Sequence, residues 1–313
     1  MRTSESKHKR IRLLSLLLAA MLLLTSCGKT ESIEEDETPL NQYEAAAETV
    51  KFQDSVYDQT KAQGKNDAFI DTSNVSQGYV GCSAKSDKRL KFQVLFGETK
   101  YSYDLPNDGT PTIFPLTLGN GSYKLRVMRN TRENKYVEIY SVTVNAVLEN
   151  EFTAFVRPNV YVNYKQESAC IKKAGDIALT AKDDLGMISG VYDFVTKNVK
   201  YDMEKVNTVK SGYIPDPDET MATGKGICFD YAVLAASMLR SQGIPVKLIF
   251  GYVAPNGLYH AWNMFYTEKT GWVTVKFEAK GEQWTRMDLT FSAGGADARF
   301  VGDGTNYTDV YYY

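Results

Sequence analysis

The chain has 313 residues, 43% of them hydrophobic and 24% charged, with a formal net charge of −2. That composition suits a soluble protein with a sizeable core in one to three domains. A nearly balanced charge argues against nucleic-acid binding, and four cysteines in so long a chain are too few for a disulfide-stapled scaffold.

The N-terminus opens with the basic residues Lys7, Lys9, Arg10 and Arg12, and Ile11 to Leu24 is an almost unbroken apolar run. The run is short of the ~20 residues a membrane-spanning helix needs. It fits the apolar region of a secretory signal over residues 1–26. Where it stops, Leu24-Thr25-Ser26-Cys27 resembles the bacterial lipobox. That resemblance implies that Cys27 is lipidated and becomes the first residue of a mature protein held at the outer face of the cytoplasmic membrane. One acyl chain binds only marginally, so stable anchoring requires several. Loss of five basic groups and one acidic group with the signal would take the net charge from −2 to −6. Residues 27–62 follow, with Glu31, Glu34, Glu35, Asp36 and Glu37 and few large apolar groups. They bury too little surface to offset ordering entropy and read as an acidic tether.

Residues 63–165 have a β pattern. Arg89 to Phe96 alternates in part, Tyr123 to Met128 alternates apolar with basic, and Tyr136 to Val147 is rich in Val, Ile and Tyr. Turn signals at Pro106–Gly109, Gly119–Gly121 and Asn130–Asn134 divide the runs, as in a small β-sandwich. No chemistry is visible in this domain. It reads as a spacer or as a binding module for glycan or protein. A bridge between Cys82 and Cys170 is allowed, but sequence does not give its geometry.

From residue 166 to 313 the pattern changes. Ile171 to Ala181 looks helical. In Asp183 to Lys200, residues Ile188, Val191, Val195 and Val199 share one helical face, with Asp183 or Asp184 as the cap. Asp202 to Lys225, with Pro215 and Pro217, reads as a surface loop. Then Gly224-Lys-Gly-Ile-Cys228 leads into a helix that runs to about Gln242, where Gly243 caps it and Pro245 prevents continuation. Cys228 therefore falls at a helix N-terminus, where the dipole and free N–H groups favour a thiolate and can stabilise an oxyanion. Gly226 would let a substrate approach the backbone.

A nucleophilic thiol needs a base. The chain has two histidines, and His8 lies in the signal, which leaves His260. It sits in Tyr259-His-Ala-Trp-Asn-Met-Phe-Tyr266, which reads as a strand between the strand Val246–Val253 and a turn at Glu268–Gly271. The strands Trp272–Phe277 and Gln283–Leu289 follow, the second carrying Asp288 near its end. Trp262 shares a strand face with His260, where it can shield a His–Asp hydrogen bond or serve the core.

Cys228 at a helix start, His260 in Tyr-His-Ala-Trp and Asp288 in Trp-x-x-x-Asp-x-Thr resemble the core of the transglutaminase-like superfamily. Many relatives have proline where this chain has Leu289. The resemblance implies an α+β, papain-like fold in which a helix bearing cysteine packs on an antiparallel sheet bearing histidine and aspartate. It implies a Cys228–His260–Asp288 triad, with Gly226 and Trp262 near the substrate, and no metal or cofactor. The expected reaction is thiol-dependent acyl transfer at an amide of an envelope peptide or protein, as a peptidase or amidase. A cross-linking transglutaminase and a non-catalytic surface adaptor are the alternatives.

Overall fold

A computed structural model describes residues 52–253, 258–280, 283–288 and 307–313. The signal, Cys27 and most of the tether lie outside the described residues. Eight strands come first: β1 (Gln63–Lys65), β2 (Ala68–Asp71), β3 (Tyr79–Ala84), β4 (Leu90–Phe96), β5 (Thr99–Leu105), β6 (Thr112–Pro115), β7 (Gly121–Arg132) and β8 (Lys135–Ala146). They form two antiparallel four-stranded sheets, β1-β2-β3-β6 and β5-β4-β7-β8. The alternation seen in sequence has a physical cause: in β4 and β5, Leu90, Phe92, Val94, Tyr101, Tyr103 and Leu105 all point into the core. Phe92 of one sheet stacks on Phe114 of the other, ring centroids 4.2 Å apart.

Five helices follow: α1 (Ala169–Ala178), α2 (Asp184–Asn198), α3 (Met203–Thr208), α4 (Pro217–Thr223) and α5 (Cys228–Arg240). The side chain of Asp183 caps α2 by accepting from Gly186 N–H, and Ile188, Val191, Val195 and Val199 are buried. The expectation of a plain loop over Asp202–Lys225 is corrected by α3, α4 and a short parallel pairing of β9 (Lys200–Tyr201) with β10 (Lys225–Gly226). Helices of six and seven residues leave no readable period. Their caps were visible: Asp202 accepts from Lys205 N–H, Asp216 accepts from Asp218 and Glu219 N–H, and Pro217 opens α4.

The second sheet system has the order β14-β13-β12-β11-β15, all antiparallel. Its strands are β11 (Val246–Val253), β12 (Leu258–Thr267), β13 (Gly271–Lys280), β14 (Gln283–Asp288) and β15 (Tyr307–Tyr312). Helix α5 packs against β11, β12 and β13 on one side and against α1, α2 and α4 on the other. It is buried all round from Asp230 to Arg240, not on one stripe. The sandwich core and the core around α5 form one continuous hydrophobic cluster, from Ala68 to Tyr313. Cys82 and Cys170 are both free and buried, so no bridge joins them.

Candidate active site

Cys228 is the first residue of α5. The chain enters it extended, with Ile227 at φ −97° and ψ 178°. Ile227 has no capping side chain, so Asp230 reaches back instead and its Oδ2 accepts from Ile227 N–H at 2.7 Å. Gly226 follows from this arrangement. A Cβ there would lie 2.6 Å from the Cβ of Asp230. Gly226 is buried, and the side chain it makes room for is that of Asp230 rather than that of a substrate.

The backbone N–H of Ala261, the residue after His260, acts on the Cys228 sulfur and favours its charged form. The register explains how. Strand β12 pairs with β11 through His260 opposite Gly251 and Ala261 opposite Phe250. Its pairing with β13 runs only from Asn263 to Thr267. Beyond Asn263 strand β13 has left, and the N–H of Ala261 is available to the sulfur. Asn263 pins this arrangement: fully buried, it accepts from Tyr192 Oη of α2 at 3.0 Å and donates to the Ala232 carbonyl of α5 at 3.1 Å. Sequence reasoning passed over Asn263. A polar residue in the middle of an apolar strand was the available signal.

His260 is half-buried, its ring 6.5 Å from that of Trp262 and within 25° of parallel. Trp262 is fully buried. It therefore belongs to the packing under the histidine and presents no surface to a substrate. Asp288 ends β14, opposite Val275 of β13, and Val275 is opposite Asn263 of β12. The three stand in one row across the sheet. Asp288 is thus on the same sheet as His260 but two strands across and three residues along, about 14 Å between backbones at the usual spacings of about 4.8 Å per strand and about 3.3 Å per residue. Tyr231 is also fully buried and donates to the Val199 carbonyl.

The electrostatics depart from the thiolate expected at a helix N-terminus. Burial pushes the Cys228 thiol above its ordinary range. The N–H groups of Ala261 and Phe229 pull it down, and the carboxylate of Asp230 pushes it up again. Burial outweighs the N–H groups, and the net shift is upward. Among the described residues, no cluster of three or more His, Cys, Asp or Glu side chains is placed to hold a metal ion.

Residues 171–277 match the family model of the transglutaminase-like superfamily. Cys228 and His260 lie inside the matched residues, and the match stops short of Asp288. The UPF0252 protein MJ1282 of Methanocaldococcus jannaschii is 31% identical over 113 residues, which are 34% of this chain. The match spans only 30% of that relative's length. Among solved structures, LapG of Legionella pneumophila is 17% identical, over 45% of this chain and 72% of its own, at a TM-score of 0.32. A candidate cysteine protease of Cytophaga hutchinsonii is 14% identical, over 74% of this chain and 80% of its own, at a TM-score of 0.36. Red sea bream transglutaminase is 12% identical, over 63% of this chain and 48% of its own, at a TM-score of 0.28.

Proposed function

We propose that the protein is a thiol-dependent amidase or peptidase acting through Cys228, His260 and Asp288. The observation that supports this reading is the influence of the Ala261 N–H, one residue from His260 on the same strand, on the Cys228 sulfur. His260 takes the thiol proton as sulfur attacks the amide carbonyl. The C–N bond breaks, the same proton leaves on the amine, and a thioester remains on Cys228. Water, activated by His260, then releases the acid and restores the thiol. N–H groups at the start of α5 lie where an oxyanion would form. Asp288 is the carboxylate assigned to orient the imidazole, and from its place two strands across and three residues along it must approach His260 to do so. Hydrolysis is preferred to cross-linking because bacterial members of the superfamily resemble proteases more often than cross-linkers.

The test is digestion of a peptide library by wild type and by Cys228→Ala, with an added primary amine. Cleavage that vanishes in the variant supports the proposal. Cleavage that survives Cys228→Ala rejects it, and amine incorporation in place of cleavage would assign cross-linking. We also propose lipid anchoring at Cys27, outside the cytoplasmic membrane, with envelope peptides as substrates. Metabolic labelling with a radioactive fatty acid should be lost in Cys27→Ala, and equal labelling of both chains would refute the anchor.

A further inference from the structure

The segment from Asp202 to Ile214 is attached to the start of α5 by polar contacts and not by burial. None of the six residues of α3 is buried, and Met203, Val206, Val209 and Ile214 are exposed. Every strong attachment converges on residues 226–230. At its beginning, Asp202 N–H donates to the Gly226 carbonyl at 3.0 Å. In its middle, Lys205 Nζ donates to Asp230 Oδ1 at 2.8 Å. At its end, Tyr213 Oη donates to the same oxygen at 2.5 Å. The Lys205 ammonium also sits 4.5 Å from the centre of the Tyr213 ring, and that ring meets Phe229 edge-on at 6.3 Å. Asp230 is wholly buried, whereas the Lys205 side chain keeps 27% of its surface.

A buried carboxylate two residues from a nucleophilic sulfur is a liability. Its charge opposes formation of the thiolate, and unpaired burial of the charge is costly. Its other oxygen, however, holds Ile227 N–H and with it the entry into α5. Lys205 reconciles the two, because a cation on Oδ1 cancels the charge while Oδ2 keeps the cap.

We propose that Lys205 and Tyr213 are positioning residues for Cys228, closing on the Asp230 carboxylate to hold the 202–214 segment against the N-terminus of α5 and to shield the sulfur from the buried charge. This rests on the reading of Cys228 as the nucleophile. The titratable groups that act on the sulfur are Tyr201 on β9 and Asp230 on α5, with Lys205 and Tyr213 acting through Asp230 and with His260 next to Ala261 on β12.

The test uses the full chain and reads the rate of Cys228 alkylation by iodoacetamide against pH, with Cys228→Ala as the blank. Lys205→Met should slow alkylation at pH 7 by about tenfold and move the profile up by about one pH unit, since one pKa unit is a tenfold change in thiolate. Lys205→Arg should restore the wild-type profile. Tyr213→Phe keeps the ring and loses one bond, so amide hydrogen exchange should quicken over 203–209 with little change elsewhere. A Lys205→Met profile that superimposes on wild type overturns the proposal. If Lys205→Met does not fold, unchanged exchange over 203–209 in Tyr213→Phe overturns it instead. Neither readout requires turnover. A chain that cleaves no peptide but whose labelling depends on Lys205 would refute the amidase reading and keep the clamp.

Discussion

At the scale of single residues, the site is set by close approach and by burial. Gly226 illustrates the first. Its backbone is so near Asp230 that a Cβ would stand 2.6 Å from the Cβ of that residue, with its Cγ at 3.2 Å. Neither atom is the far end of a flexible chain, so the backbone must shift. Gly226→Ala should cost about 1–3 kcal/mol, the usual range for overpacking, and should slow alkylation of Cys228 because the Ile227 cap moves. Denaturant melts and iodoacetamide rates together check this; wild-type values for both would show that the backbone yields freely. Cys228 illustrates the second. The helix N-terminus was visible in sequence, and the N–H of Phe229 pulls the thiol down as expected there. The depth of the sulfur was not visible, and burial decides the sign of its shift. Trp262 and Gly226 were linked to substrate for the same reason: local pattern places a residue near a site but does not say which side of it faces solvent.

At the scale of elements, caps between helices do what apolar stripes do not. Asp218, in the first turn of α4, accepts from Ala169 N–H at 3.0 Å and Cys170 N–H at 2.8 Å, and so caps α1 from another helix. Burial pushes its carboxyl up, but the N–H groups of Cys170 and Ala169 pull it down further, and the net position is below the ordinary carboxylate range. A group with a depressed folded-state pKa adds stability above its unfolded value, about 3.9, and loses it as pH falls through the folded value. Asp218→Asn should therefore destabilise the protein by about 1 kcal/mol at pH 7, with the difference from wild type shrinking below about pH 4. Urea titrations at pH 7 and pH 3.5 measure it, and a difference that grows on acidification would contradict the argument. Elements α2, α5 and β11–β14 were legible in sequence because each has a long period or a firm stop such as Gly243 and Pro245. Elements α3 and α4 were not, since their evidence lay only in caps.

At the scale of the whole molecule, one buried cation ties distant segments together. Arg240, near the end of α5, is 1% exposed. Its guanidinium donates to the carbonyls of Val246, Arg157 and Tyr313, at 2.7–3.0 Å. Burial lowers its pKa to about 10, still well above neutrality. Three chain segments thus share one set of donors: the start of β11, the connection from the sandwich, and β15. Tyr313 adds rings to the same junction, 5.4 Å from Tyr101 and 5.6 Å from Phe250. Arg240→Met should cost about 3 kcal/mol or more, because the oxygens of Val246 and Arg157 lose the guanidinium and Tyr313 keeps only the Leu248 N–H. Chemical denaturation measures it, and a loss under about 1 kcal/mol would mean that water replaces the guanidinium.

The sequence by itself determined the elements that carry the candidate site, with Cys228 at a helix start and His260 in an apolar strand, because helix stops and strand periods are local properties. It also determined most of the two sheet systems and the helix that carries the sulfur. Only the tertiary structure decided that β13 leaves β12 at Asn263 and hands the Ala261 N–H to Cys228, that Asp288 stands two strands from His260, and that Asp230 is sealed under Lys205 and Tyr213. Those facts depend on register and on burial, and both arise between segments that local sequence does not relate.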